Sequence, residues 1–228
     1  MDYLSKFQPS APPPVLVTSH YLPCLEYFIC IMQTGDVIVE SCENFQKQSP
    51  RNRSYVLTAN GIEMLTVPVV KPGGKVPIRD IRIDYSQMWI KKHWRCLVSA
   101  YANSPFFEYY ATDFLKILER KPTFLLDLNT EILTFCLHSL RLKPSLSYTL
   151  SYNTHPLYPV FDARSCVNAK NSVNTYQFYH PHPYYQTFGN DFSGNLSIAD
   201  LLFNTGPEAL EVLKKSIKSS SDSRLNEL

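Results

Sequence analysis

The chain has 228 residues, 44% hydrophobic and 18% charged, and its 22 basic and 20 acidic side chains give a formal net charge of +2. That length suits one large domain or one domain with an elaborated end, and the composition is that of a globular protein, not a disordered one. The near balance of charge argues against general nucleic-acid or membrane-surface binding.

The start, MDYLSKFQPSAPPPVLV, has an early Asp2, no basic leader and no long apolar run, so it does not read as a signal peptide. No run approaches the length of a membrane span. The six cysteines form no CxxC pair and read as reduced thiols, which points to a cytoplasmic protein. Val15 to Val17 predicts a short strand, and Pro23 opens a helix over PCLEYFICIMQT that Gly35 ends. DVIVE is a second strand, followed by a polar loop, ESCENFQKQSPRNR, at residues 40–53. SYVLTA and IEMLTVPVV flank Asn60-Gly61, the signal of a hairpin whose type I′ turn needs positive φ at both positions.

IRDIRID alternates as a half-buried strand does. YSQMWIKKHWRCLVSAYA then predicts an amphipathic helix, with Ile90, Trp94, Leu97 and Tyr101 spaced for one face. PFFEYYATDFLKILER and FLLDLNTEILTFCLHSLRL add two helices. From about 144 to 195 the pattern dissolves into Pro, Tyr and Asn, a stretch expected to wrap the domain through its aromatic rings. NLSIADLLFN reads as a helix, Gly206-Pro207 starts the last one, and a polar tail at 219–228 is expected to fray. The order predicts an α/β or α+β fold in one domain over 1–228. Residues 1–85 mainly form a mixed sheet with a hairpin, 86–142 are helical, 143–195 are irregular and aromatic, and 196–218 hold the C-terminal helices.

Chemistry concentrates in the polar loop, which lies beyond the carboxyl end of a strand, where open α/β sheets place ligands. Glu43 and Glu40 can serve as acid or base, while Lys47, Arg51 and Arg53 can clamp a phosphate or carboxylate. Cys42 is a nucleophile candidate if nearby cations stabilise its thiolate. The alternative is a surface loop whose charges pair with one another. His93 stacks one turn from Trp89 on an apolar stripe and is either a satisfied core residue or a general base, with Asp80 and Asp84 near to orient it. His20, at the exit of the first strand, resembles the phosphate-binding turn of nucleotidylyltransferases, but their HxGH pattern is absent. His180-Pro181-His182 lacks Cys or acidic partners at ligand spacing, so no metal site is expected. Glycine numbers only 7, and neither GxGxxG nor GxxxxGK(S/T) occurs, which argues against a Gly-rich phosphate cradle and leaves any cofactor unknown.

Six segments taken in order resemble the WbqC-like protein family: YLPCLEYF (21–28), ENFQKQSPRNR (43–53), LTVPV (65–69), IRDIRIDY, WIKKHWRCLVSAYANSPFFEYY (89–110) and NLSIADLLFNTGPEAL (195–210). The last is of the type found in the Bacteroidetes branch. The resemblance implies a role beside surface-polysaccharide or O-antigen genes and acyl or aminoacyl transfer, glycine in particular, to a sugar. Its matching positions supply the candidates Tyr21, Pro23, Glu43, Lys47, Asn52, Arg53, Trp89, His93 and Tyr101, with Arg51 inside the same segment. Relatives are expected to carry His or an acidic residue where this chain has Cys42, which counts against a Cys42 nucleophile.

Two functions follow. In the first, the protein transfers an acyl or aminoacyl group to a sugar nucleotide or another phosphorylated or amino sugar. His93 or Glu43 is then the catalytic base, and Lys47, Asn52, Arg53, Arg51, Trp89, Tyr21 and Tyr101 bind substrate. In the second, it is a non-catalytic binding or assembly protein that works beside envelope-biosynthesis enzymes and presents the aromatic segment 152–188 as a contact surface; a homo-oligomer is compatible with either. An enzyme gathers His93, Glu43 and Arg53 in one pocket, whereas an assembly protein scatters them and exposes an aromatic patch. A nucleotidylyltransferase-like protein is a third reading, and it requires His20 beside the cations.

Overall fold

The computed structural model describes residues 12–156, 159–167, 176–189 and 191–218; the polar tail at 219–228 lies outside them. Six strands and six α-helices run in the order β1 (Val15–Thr18), α1 (Leu25–Met32), β2 (Val37–Glu40), β3 (Arg53–Thr58), β4 (Gly61–Thr66), α2 (Trp89–Tyr101), α3 (Phe107–Glu119), α4 (Leu125–Ser139), β5 (Leu146–Tyr148), β6 (Phe161–Asp162), α5 (Ile198–Thr205) and α6 (Ala209–Lys215). The class is mixed α/β, as expected. The strands form a four-stranded sheet in the order β5-β2-β1-β6 and the separate hairpin β3-β4.

Every pairing in the larger sheet is parallel, with Val15 opposite Val37, Val37 opposite Leu146, and Val15 opposite Phe161. β1 is buried along its whole length, as a central parallel strand covered on both faces must be. β5 and β6 fall in the stretch with no sequence period. They are three and two residues long and largely exposed, so no alternation could accumulate.

α1 begins at Leu25, two residues after Pro23, and its start is tied to the chain before α5 by Leu25 N–H to Leu196 O at 3.1 Å and Ile198 N–H to Pro23 O at 2.9 Å. Gly35 lies beyond the helix C-cap at Gln33, and its role is space: a Cβ there would stand 2.7 Å from the Pro12 carbonyl oxygen. The hairpin forms with its turn one residue earlier than Asn60-Gly61 would place it. Thr58 pairs with Gly61, so Ala59 and Asn60 make the corner. Only Gly61 of the expected pair has positive φ, at +100°, so the glycine closes the two-residue corner as its first paired residue.

IRDIRID is not a strand. A 3₁₀ turn spans Ile78–Asp80, closed by Asp80 N–H to Pro77 O and Ile81 N–H to Ile78 O. Ile78, Ile81 and Ile83 are buried while Arg79, Asp80 and Arg82 face water. α2 buries Trp89, His93, Leu97, Ala100 and Tyr101, with Ile90 and Trp94 half-buried beside them. Among the described residues no helix is long and apolar enough to cross a membrane.

The described part of the aromatic segment packs on α5 at the Asp200 carboxylate and at Asn204, whose Oδ1 accepts from Thr187 Oγ1 at 3.2 Å. Asp200 is fully buried and accepts hydrogen bonds from Tyr101 Oη at 2.8 Å, Tyr184 Oη at 2.5 Å and Gln186 Nε2 at 2.9 Å. Burial raises its pKa, against the lowering effect of those three donors.

Candidate functional site

Parallel order β5-β2-β1-β6 makes the gap between β1 and β6 the point where successive strands switch sides of the first, and ligands of open α/β sheets bind outside the carboxyl ends there. A crevice of about 370 Å³ opens at that place, lined by Thr18 and His20 from the end of β1, the loop residues Gln46 to Arg51, and Arg164, Ser165 and Val167 beyond β6. Three of its lining side chains are cations.

Each cation is placed differently. Lys47 is exposed and has no partner among the described residues. Arg51 is held by Glu43 through Nε to Oε1 at 2.8 Å and Nη2 to Oε2 at 2.5 Å. Arg164 donates to Asp162 at 2.7 and 2.9 Å and reaches across to Glu40 at the end of β2 at 3.1 Å. Glu40, wholly buried, is fixed in turn by Cys42 N–H at 2.8 Å and Thr149 Oγ1 at 2.6 Å. Glu40, Glu43 and Asp162 do not line the crevice. The cations therefore face the opening and the carboxylates of the two arginines stand behind them. Asn129 of α4 anchors the loop to the sheet, since its Nδ2 donates to Arg51 O at 2.9 Å and Ser19 Oγ at 3.0 Å.

His20 sits among these groups. One ring nitrogen, Nε2, lies 2.8 Å from Thr18 Oγ1, and the ring rests on Tyr27 with centroids 4.7 Å apart. Burial, aided by the Arg51 charge, pushes its pKa down to about 3, so the ring is neutral. Nδ1 makes no hydrogen bond among the described residues. His20 and Pro50 also line a second cavity, about 330 Å³, with Arg53, Tyr55, Ile62 and Tyr176.

The other sequence candidates fall elsewhere. His93 accepts from Tyr21 Oη at Nδ1, 2.9 Å away, and its Nε2 lies 3.1 Å from Thr66 O. A carbonyl only accepts, so Nε2 carries the proton and both nitrogens are engaged. Burial pushes the His93 pKa down to about 4, and Trp89 packs edge-on at 5.1 Å. Tyr21, Trp89 and His93 thus form one buried cluster, whereas Asp84 is bonded to Ser86. Tyr101 joins Asp200 and also accepts from Leu57 N–H at 3.1 Å. Asn52 donates to Val67 O at 3.0 Å. Cys42 Sγ lies 3.4 Å from Thr149 O and 3.3 Å from Arg79 Nη1.

His93, Glu43 and Arg53 are therefore in three places. The structure instead brings together His20, Lys47, Arg51 and Arg164. Arg164 escaped the sequence reading because it lies in the stretch with no period, and the one available signal was the two-residue spacing of Asp162 and Arg164 beside a short apolar pair. Among the described residues no group of three His, Cys, Asp or Glu side chains could hold a metal ion.

Comparison with known proteins gives three findings. The model of the WbqC-like protein family matches residues 18–177 and again 167–212. The uncharacterised protein Rv1507c of Mycobacterium tuberculosis is 31% identical over 228 aligned residues, which cover 87% of this chain and 96% of that protein. No solved structure matches the chain.

Proposed function

The chain belongs to the WbqC-like protein family, and from that premise and the crevice we propose that it is a cytoplasmic transferase of surface-polysaccharide or O-antigen biosynthesis. Its substrate is a sugar nucleotide or another phosphorylated or amino sugar, to which it moves an acyl or aminoacyl group of the glycine type. One observation carries the ligand class: Lys47, Arg51 and Arg164 line one opening at the carboxyl ends of the strands, with the carboxylates of the two arginines behind. A diphosphate presents several charged oxygens, and a crevice lined by three cations suits it better than it suits a ligand with one carboxylate. His20, kept neutral, serves there as a hydrogen-bonding group. In the tautomer that donates Nε2–H to Thr18, its Nδ1 offers a lone pair to the bound substrate.

Two observations favour other readings. The scatter of His93, Glu43 and Arg53 favours a non-catalytic binding or assembly protein. The position of His20 beside the cations favours a nucleotidylyltransferase-like protein, which would need magnesium.

Titration calorimetry of UDP, a UDP-sugar and inorganic pyrophosphate, with and without magnesium, tests the ligand class. Lys47→Ala is the first variant, because an exposed unpaired lysine can be removed without disturbing the fold. Nucleotide binding weakened about tenfold in Lys47→Ala, roughly 1.4 kcal/mol, supports the proposal, and mass spectrometry of an amino-sugar nucleotide incubated with acyl and aminoacyl donors then tests transfer. No binding of any of the three ligands by folded protein removes the proposal.

A further inference from the structure

Three arginines among the described residues are not exposed: Arg51, Arg53 and Arg164. Two are paired with carboxylates. The side chain of Arg53, the first residue of β3, makes no hydrogen bond and no ion pair among the described residues, and its Nε is sealed from solvent with no acceptor. The sealed Nε is costly, because it has given up water and received nothing, while the two Nη groups, still reached by solvent, are the donors that stay open to a ligand. The cavity it lines has walls of Leu22, Pro23, Tyr55, Ile62 and Tyr176, and its volume of about 330 Å³ is that of a small-molecule site.

The walls are held in place. Tyr21 N–H bonds Pro50 O at 2.9 Å, and Asn195 Oδ1 accepts from Glu26 N–H at 2.9 Å. Leu22 and Asn195, both lining the cavity, adopt left-handed backbone, with φ of +45° and +53°. Leucine is a poor residue for that conformation, and such strain gathers where a binding surface must be shaped.

We propose that this cavity is a second subsite, which takes the carboxylate of a small organic acid on Arg53 and its apolar or ring-shaped body on the tyrosine and aliphatic walls. One planar guanidinium matches one carboxylate in bidentate fashion, whereas the three cations of the crevice suit a more highly charged phosphate. His20 and Pro50 line both spaces, so two ligands would meet across a single ring. The subsite stands on Arg53. That its occupant is the acid component of the transfer rests on the function proposed above.

The test uses ligand-observed NMR and calorimetry on the full chain, with benzoate and N-acetylglycine as acids, benzamide as neutral control, and inorganic pyrophosphate as crevice probe. The expected result is saturable binding of an acid but not of benzamide. Arg53→Gln should weaken the acid at least about tenfold and leave pyrophosphate affinity unchanged, and Lys47→Ala should do the reverse. Acids that do not bind, that bind Arg53→Gln as well as wild type, or that are matched by benzamide overturn the subsite. Failure of pyrophosphate to bind, with acid binding and its Arg53 dependence intact, removes the crevice reading and upholds this one. Should Arg53→Gln not fold, Ile62→Trp, at an exposed hairpin position on the cavity wall, fills the space. Loss of the acid alone then supports the subsite, and unchanged acid binding overturns it.

Discussion

Replacing Glu43 by Gln asks whether this carboxylate is a base or the counter-ion that aims Arg51. Both side chains are 8% exposed and meet in a two-point contact. The substitution keeps the shape of the side chain but removes its charge, and it sets an amide N–H₂ or a neutral oxygen against guanidinium donors that stay buried. Breaking a buried pair from one side costs about 3–5 kcal/mol, because the remaining charge is left without compensation. At about 2–4 °C per kcal/mol for a chain of this size, the melting temperature falls by roughly 6–20 °C. Removing both charges in Glu43→Gln/Arg51→Gln leaves nothing buried and unpaired, so the double variant should be more stable than the additive sum by at least about 1 kcal/mol. Urea denaturation of the four proteins at one pH measures the cycle. Pyrophosphate affinity should rise in the single variant, as the Arg51 charge is no longer neutralised. A Glu43→Gln protein within about 0.5 kcal/mol of wild type would refute the reasoning and return Glu43 to the list of possible bases.

Tyr101→Phe should destabilise more than Tyr184→Phe in the same assay. Each removes one bond to the Asp200 carboxylate, worth about 1.5–3 kcal/mol, but Tyr101→Phe also orphans the Leu57 N–H, which adds about 1–3 kcal/mol; equal losses would show that the Leu57 contact contributes nothing. His93 gives a pH dependence of definite sign. Its folded pKa is pushed to about 4, below the ordinary value near 6.5, so its contribution is full above pH 6.5 and is lost as acid protonates the unfolded ring first. The stability gap between wild type and His93→Gln should therefore shrink by about 2 kcal/mol from pH 7 to pH 5, and a gap constant across that range would mean that the ring titrates normally in the fold.

The parts of the fold that could be read from sequence are those with a sustained period. α2, α3 and α4 announce themselves because thirteen to fifteen residues give an apolar stripe several turns in which to repeat. The hairpin was legible from two strand-like runs, yet its turn slipped by one residue, since a glycine at positive φ suits the position just after a corner as well as the corner itself. In IRDIRID the alternation comes from a 3₁₀ turn that buries Ile78 and Ile81 three residues apart, which a period-two reading cannot separate from a strand over so few positions. β5 and β6 could not be read at all, and with them went the strand order. That loss hid the site. The polar loop is local in sequence, but the crevice exists only because β6 returns beside β1 and delivers Arg164 from more than a hundred residues away. His20 was visible as a histidine after a strand, and what it lacked was the neighbour that gives it meaning.

Backbone strain divides in the same way between what ends a helix and what shapes a cavity. Among the described residues, five other than glycine have positive φ. Lys121 and Arg141 follow α3 and α4, where a left-handed residue lets its N–H close the last turn, as Lys121 N–H does on Leu118 O and Arg141 N–H on His138 O. Leu22, Gln48 and Asn195 close no helix. Leu22 and Asn195 line the Arg53 cavity, and Gln48 lines the crevice. A left-handed residue with a Cβ costs about 1–2 kcal/mol, and at Leu22 the reason lies one residue to either side. Tyr21 N–H is fixed on Pro50 O and Pro23 O on Ile198 N–H, so the chain must reverse between them. That reversal sends the Tyr21 ring inward to His93 and leaves His20 at the boundary between the two cavities. The Tyr21–His93 hydrogen bond thus fixes one side of the left-handed turn at Leu22, two residues after His20.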